Sequence, residues 1–367
     1  MQPAPIRKSA RIDVVDWLRG VAVVLMIVAH GADAWLMPAA KSGTAYELIR
    51  VASGIPARLF LLLVGISAAI QFESGLGKGT SSRSMRARLA KRGMQIVGLA
   101  YVFRLQEWLL SRCYGGWEPL FRIDILNAIG ASMLVVALVS TPRHGRRQIL
   151  LSLAVAAVFL GFGPIVGPVH FPTWLPRPLT SYIGGQRPMA WFSLFPWGAW
   201  ALTGVAVGHL WVRASQDARL QRRCFVVTFL VGASLTAAVA LVRYVDPFII
   251  RYPSEVVQHM GPGIFFHRLG IIGVTAGIGF FWCLGLRGRF SVLRQLGQTS
   301  LLVYWIHIEF CYGSWVYALR GRFDLAGAAL LMAALTLVMF GVSLVKTRYG
   351  HNVVDWLRAR FRSPRLA

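Results

Sequence analysis

Apolar residues along this chain fall into blocks close to twenty residues long, and short connecting segments between the blocks carry most of the charge. Ten such blocks are readable, at roughly 14–37, 54–73, 93–111, 123–140, 149–166, 191–212, 224–242, 264–286, 296–318 and 325–345. At 1.5 Å of rise per residue each covers the ~30 Å hydrocarbon layer of a bilayer. The runs are unbroken rather than alternating, which selects helices over a transmembrane barrel. The expected fold class is therefore all-α: a polytopic membrane helix bundle of about ten transmembrane helices.

Composition agrees. The chain of 367 residues is 56% apolar and 14% charged, with a mean hydropathy of +0.57, which excludes a disordered chain and an ordinary soluble domain. Thirty-nine Lys+Arg against fourteen Asp+Glu leave a formal charge of +25, a balance that in a soluble protein would suggest nucleic acid. Here its placement matters more. With the N-terminus in the cytoplasm, the segments 1–13, 74–92, 141–148, 213–223, 287–295 and 346–367 hold 25 Lys+Arg and the opposite loops hold ten. That is the positive-inside pattern, so both termini are expected in the cytoplasm and nucleic acid is not expected as a partner. The chain then divides into a cytoplasmic segment 1–13, a transmembrane domain 14–345 and a basic tail 346–367. The basic residues at 83–92 (Arg83, Arg86, Arg88, Lys91, Arg92) suit anionic lipid and an anionic cosubstrate alike.

The first block has no A-x-A-like cleavage site and carries Asp16 and Arg19, so it reads as a retained helix. Cys113, Cys224, Cys283 and Cys311 are scattered without C-x-x-C spacing, so neither a metal site nor a disulfide framework is expected. Two longer connections, 164–190 with six prolines and 243–263 with Asp246, Glu255 and His259, read as lids or as connectors.

Charged groups inside apolar spans are costly and mark pathways or sites. In the first span Arg19 and His30 lie eleven residues apart, within ~20° of alignment on a helix and ~16.5 Å apart in height. Asp16 is placed to pair with Arg19, and Asp33 to accept from the His30 ring. Arg58 opens PARLFLLLVGISAAI, where Gly65 and Ser67 permit close helix contact. Arg104 and Glu107 form an i,i+3 pair, and Asp124 and Asn127 in RIDILNAIGA read either as a helix cap or as substrate contacts. In GQTSLLVYWIHIEF the residues Ser300, Tyr304, His307 and Cys311 make one polar stripe, with Glu309 off it.

The opening RIDVVDWLRGVAVVLMIVAH resembles the heparan-alpha-glucosaminide N-acetyltransferase catalytic-domain family and its bacterial relatives, within a wider superfamily of transmembrane acyltransferases. The segments PARLFLLLVGISAAI, FRIDILNAIGASML, SLFPWGAWALTGVAVGHL and LGQTSLLVYWIHIEFCYG extend the resemblance over about residues 11–345. The spacing of Arg19 and His30 is also similar to the first-helix signature of membrane O-acetylases that modify bacterial surface glycans. The resemblance implies transfer of an acetyl or other acyl group from an acyl-CoA on the cytoplasmic side to a hydroxyl or amine of a cell-envelope glycan or glycolipid. It places His30 at the reaction centre, with Asp33 or a neighbouring helix orienting it and His307 or Arg58 facing the oxyanion. Arg19, Arg58, Asp124 and Asn127 become candidate substrate contacts, and Arg88 and Arg92 candidate contacts to the coenzyme phosphates. Acetyl-CoA would be a cosubstrate rather than a resident cofactor. Arginine-rich composition and the lack of organelle signals fit a bacterial inner membrane. A proton-coupled transporter or lipid flippase is the rival class, against which stands the lack of any internal repeat with matching interrupted helices; a membrane scaffold is a third.

Overall fold

The computed structural model describes residues 9–111, 116–141, 145–166, 169, 171–172, 174–184, 190–245, 261–286 and 288–360. Most of the second long connection (246–260) and parts of the first lie outside the described residues, and with them Cys113, His170, Arg187, Asp246, Glu255 and His259. The described chain is all-α, with thirteen α-helices. In order they are α1 (Ser9–Trp35), α2 (Gly43–Ser53), α3 (Pro56–Leu76), α4 (Ser82–Leu110), α5 (Ile125–Val139), α6 (Arg146–Val166) and α7 (Arg177–Gly184). There follow α8 (Leu194–Ala214), α9 (Ala218–Val245), α10 (Pro262–Leu286), α11 (Val292–Gln298), α12 (Ser300–Tyr312) and α13 (Leu325–Arg360).

Among the described residues six segments are long and apolar enough to cross a membrane: Asp13–Trp35, Gly43–Leu76, Arg146–Val166, Ala218–Val242, Pro262–Leu286 and Leu325–Gly350. The protein is thus a polytopic membrane helix bundle. The other four expected spans fall on helices that are short, such as α5 and α12, or less apolar, such as α4 and α8. Helix α8 is buried along most of its length, so protein rather than lipid surrounds it and a lipid-grade hydropathy is not required.

Two local expectations change. The 38–54 connection contains α2, because Ala45, Leu48, Ile49 and Ala52 recur at helical spacing around the Glu47–Arg50 pair. The expected span 296–318 is broken into α11, α12 and a 3₁₀ segment, Ser314–Leu319. The first break falls at Thr299, whose hydroxyl donates to Ser343 Oγ at 2.6 Å. An extended C-cap at Gly313 makes the second.

The chain folds as two compact units. The larger comprises residues 1–11 and 54–285, and the smaller 12–53 and 286–367, so the smaller is assembled from both ends of the sequence.

In the larger unit the helices touch backbone to backbone. A Cβ at Gly65 of α3 would stand 1.9 Å from the Ala201 carbonyl oxygen of α8, and one at Gly204 of α8 would stand 2.1 Å from that of Leu62 in α3. Gly204 and Gly208, four apart, therefore form a small-residue seam against Gly65 and Ala69. Hydrocarbon offers helices no hydrophobic reason to associate, so close van der Waals approach supplies the attraction.

In the smaller unit α1 and α11 cross in the same manner, with Gly20 against the Leu293 carbonyl and Gly297 against that of Asp16. The far end of α1 is closed by a short β-like bridge. Gly321 N–H donates to the Ala34 carbonyl and Phe323 N–H to that of Trp35, satisfying acceptors that a helix C-terminus leaves unpaired.

Substituting Gly204 with Leu should force α3 and α8 apart. A loss of ~1–3 kcal/mol or more is expected from overpacking, read as a lower melting temperature of the detergent-solubilised protein, while the same change at the open position Gly161 should be nearly silent.

Candidate active site

The two histidines singled out in the sequence, 277 residues apart, meet in the smaller unit. His30 Nδ1 lies 2.8 Å from His307 Nε2, and the rings stack with centroids 5.1 Å apart at 11°. His307 has no exposed surface, whereas His30 is half-buried. The second nitrogen of His307, Nδ1, is 2.9 Å from the Val303 carbonyl oxygen.

These contacts assign the protons. A carbonyl oxygen can only accept, so His307 Nδ1 carries hydrogen; in the neutral ring Nε2 is then a lone pair, and His30 Nδ1–H donates to it. His30 Nε2 is left as the unprotonated nitrogen. A general base needs that arrangement: one ring nitrogen held by a donor bond, the other carrying an available pair.

Helix geometry makes the meeting possible. On α12 the buried positions Tyr304, His307 and Cys311 recur at steps of three and four, so the polar stripe read from the sequence is the helix's inward face. His307 reaches back to Val303, one turn earlier.

Asp33 makes its hydrogen bonds away from the His30 ring. Its carboxylate accepts from the Tyr312 hydroxyl at 2.7 Å, and its backbone carbonyl accepts from Lys41 Nζ at 2.9 Å. At the exposed end of α1 the short aspartate side chain turns to the phenol, while the imidazole Nδ1 is already held by His307. The neighbouring helix, the second alternative, thus supplies the partner. Tyr312 also sets its ring edge-on to His30, with centroids 5.6 Å apart. It lies off the α12 stripe, so no spacing rule pointed to it.

Arg19 stands on α1 with His30, paired to Asp16 at 3.0 Å and 31% exposed. Asp13 pairs with Arg294 at 2.7 Å, which ties α1 a second time to α11.

The remaining candidates belong to the larger unit. Asp124 is the N-cap of α5: its Oδ1 accepts from Leu126 N–H at 3.1 Å, and Asn127 Oδ1 accepts from the Asp124 N–H at 3.2 Å, forming a capping box. The other Asp124 oxygen accepts from Arg104 at 2.5 Å, and Arg104 also bonds Glu107. Asn127 Nδ2 donates to the Tyr182 hydroxyl at 2.9 Å, which lies 3.2 Å from that of Tyr101. Burial pushes the Tyr182 phenol above its ordinary range, so it remains a neutral hydroxyl. Of the two readings open for Asp124 and Asn127, the capping one describes their contacts.

Arg58, at the first turn of α3, is buried, donates to the Gly54 carbonyl and packs over the Trp197 ring at 4.9 Å. Arg88 and Arg92 are exposed on α4. Among the described residues no group of three or more His, Cys, Asp or Glu could hold a metal ion, and Cys224, Cys283 and Cys311 are in no disulfide.

A polytopic helix bundle with polar clusters held inside it, one of them a tautomer-fixed imidazole pair, is the frame of an integral membrane enzyme. The chain belongs to the heparan-alpha-glucosaminide N-acetyltransferase catalytic family, which it matches over residues 11–245, and is thus an acetyl-CoA-dependent, membrane-bound acyltransferase. No curated protein matches the chain. His30 and Asp33 fall inside the family match, whereas His307 falls beyond it.

Replacing Asp124 with Ala removes a cap worth about 1 kcal/mol and one of the two carboxylates that meet the buried Arg104 guanidinium, costing a further ~1.5–3 kcal/mol. A strong drop in melting temperature is expected, with KM for acyl-CoA and acceptor unchanged in the protein that remains folded. A raised KM would restore Asp124 as a substrate contact.

Proposed function

We propose that this enzyme moves an acetyl group from acetyl-CoA to an amine or hydroxyl of a cell-envelope saccharide, with His30 as general base. The observation that carries the reading is the hydrogen-bonded line from the Val303 carbonyl through His307 to His30, which leaves Nε2 of a half-buried imidazole unprotonated. As the acceptor nitrogen or oxygen attacks the thioester carbonyl, Nε2 takes its proton. The tetrahedral intermediate collapses, the carbon–sulfur bond breaks, and the proton on Nε2 passes to the departing thiolate. While His30 is an imidazolium, its Nδ1–H···Nε2 bond to His307 becomes charge-assisted, so His307 acts as a positioning residue that also stabilises the transient charge.

The family's name supports an amino-sugar acceptor, and the amine reading is preferred for that reason. Arg58, buried in the larger unit with one hydrogen bond, is that unit's own candidate for a substrate contact. Exposed Arg88 and Arg92 of the larger unit meet the phosphates of the coenzyme, and half-exposed Arg19 of the smaller unit is a separate candidate for a substrate contact. The charge asymmetry of the connecting segments supports cytoplasmic termini, ten spans and donor entry from the cytoplasm, in a bacterial inner membrane.

His30→Ala should lower acetyl transfer by about 10²–10⁴-fold, the usual contribution of a positioned base. His307→Phe, which keeps a ring but removes the acceptor nitrogen, should lower kcat on the order of tenfold or more while changing KM little. Coenzyme A thiol release by purified protein, with mass spectrometry of acetylated glucosamine, reads both; full turnover by the His30 variant would remove it from the mechanism.

A further inference from the structure

Asp33 stands three residues after His30 on α1, a spacing of ~60° around the helix and ~4.5 Å along it. A carboxylate so placed is within reach of the imidazole. Ionised, it accepts a ring N–H more strongly than the neutral nitrogen of a second histidine does. The His30–His307 bond therefore has a competitor one turn away. Were Asp33 to draw the single ring proton of His30 onto Nε2, Nδ1 would turn a lone pair towards that of His307, and Nε2 would be a donor unable to serve as a base.

Tyr312 prevents that capture. It is the last residue of α12, five positions after His307, and it touches both members of the α1 pair. Its hydroxyl donates to Asp33 Oδ2 at 2.7 Å, and its ring meets that of His30 edge-on, with centroids 5.6 Å apart at 67°. Lys41 and Arg320, cations at the same end of the unit, donate to the backbone carbonyls of Asp33 and Tyr312, so these bonds go to main chain rather than to the carboxylate. The Arg320 guanidinium also lies over the Tyr317 ring at 5.4 Å, which ties down the helix end that carries Tyr312. One helix thus supplies His307, which accepts from His30, and Tyr312, which occupies Asp33. All of these residues lie in the smaller unit.

We propose that Tyr312 is a positioning residue for the base: its hydroxyl holds the Asp33 carboxylate off the His30 ring and so keeps the proton on Nδ1 and Nε2 bare. The inference rests on the reading of His30 as general base, but its first measurement is made on the resting protein without substrate.

The full chain is purified in detergent with isotope-labelled histidine, at alkaline pH where the rings are neutral. Nitrogen NMR then separates protonated from bare ring nitrogens, and the signals missing from His30→Ala protein are those of His30. Tyr312→Phe keeps a ring against His30 and removes the donor. It should shift the proton to Nε2 by exchange with water and lower acetyl transfer about tenfold or more, the scale of a charge-assisted hydrogen bond. The double variant Tyr312→Phe/Asp33→Ala, which also lacks the competing carboxylate, should regain the Nδ1–H tautomer and most of the lost transfer. Removal of two merely structural contacts should be worse than removal of one, so this recovery is the distinguishing result. A Tyr312→Phe protein whose His30 Nε2 stays bare overturns the proposal, as does a double variant no better than the single one. If Tyr312→Phe does not fold, Tyr312→Leu, which also lacks the donor, must give the same outcomes. A proton that moves to Nε2 without loss of transfer would uphold Tyr312 and remove His30 as the base. Loss of transfer with Nε2 still bare would overturn the role of Tyr312 and leave the reading of His30 standing.

Discussion

A carbonyl oxygen has lone pairs and no hydrogen, and that one-way rule at Val303 orders the chemistry of the smaller unit. It places the proton on His307 Nδ1, which makes His307 Nε2 an acceptor, which places the proton of His30 on Nδ1 and leaves Nε2 bare. Two histidines alone would offer several tautomer combinations. Bonded to a backbone carbonyl in series, they retain one, and burial of His307 away from water removes the solvent partners that could compete.

The same logic of obligatory partners runs through the larger unit. A buried guanidinium must be met, and Arg104 is met by Asp124 and Glu107; Asp124 in turn closes the N-terminus of α5 together with Asn127, which extends the chain to Tyr182 and Tyr101. Each member answers a donor or acceptor that would otherwise be costly in a low-dielectric interior. Asp124 is thus at once a cap and a counter-ion. At Gly54 two buried arginines come together, Arg58 donating to its carbonyl and Arg268 lying against it.

Glycine seams set the distances on which these bonds depend. Because Gly65 and Gly204 let α3 and α8 approach to backbone contact, and Gly20 and Gly297 do the same for α1 and α11, the polar groups beside them are held where short side chains can reach. The Gln295–Ser343–Thr299 hydrogen bonds add a polar tie inside the smaller unit, linking α11 to α13 across the break at Thr299.

Hydropathy alone was sufficient to read the helical membrane class, since twenty apolar residues in sequence leave few other ways to satisfy a backbone in hydrocarbon. Helical spacing also brought out the inward stripe Tyr304, His307 and Cys311, the Arg104–Glu107 pair and the small residues of α3. These are properties within one helix, where three or four residues always make a turn. Pairings between helices carry no such periodicity. That His30 bonds His307 rather than Asp33, that Tyr312 takes Asp33, and that Arg268 meets Arg58 at Gly54 follow from which helix faces lie together. A sequence ranks neighbours by separation along the chain, whereas the site joins residues 277 positions apart, so the proton order of the imidazole pair was decided only when the two ends of the chain folded into one unit.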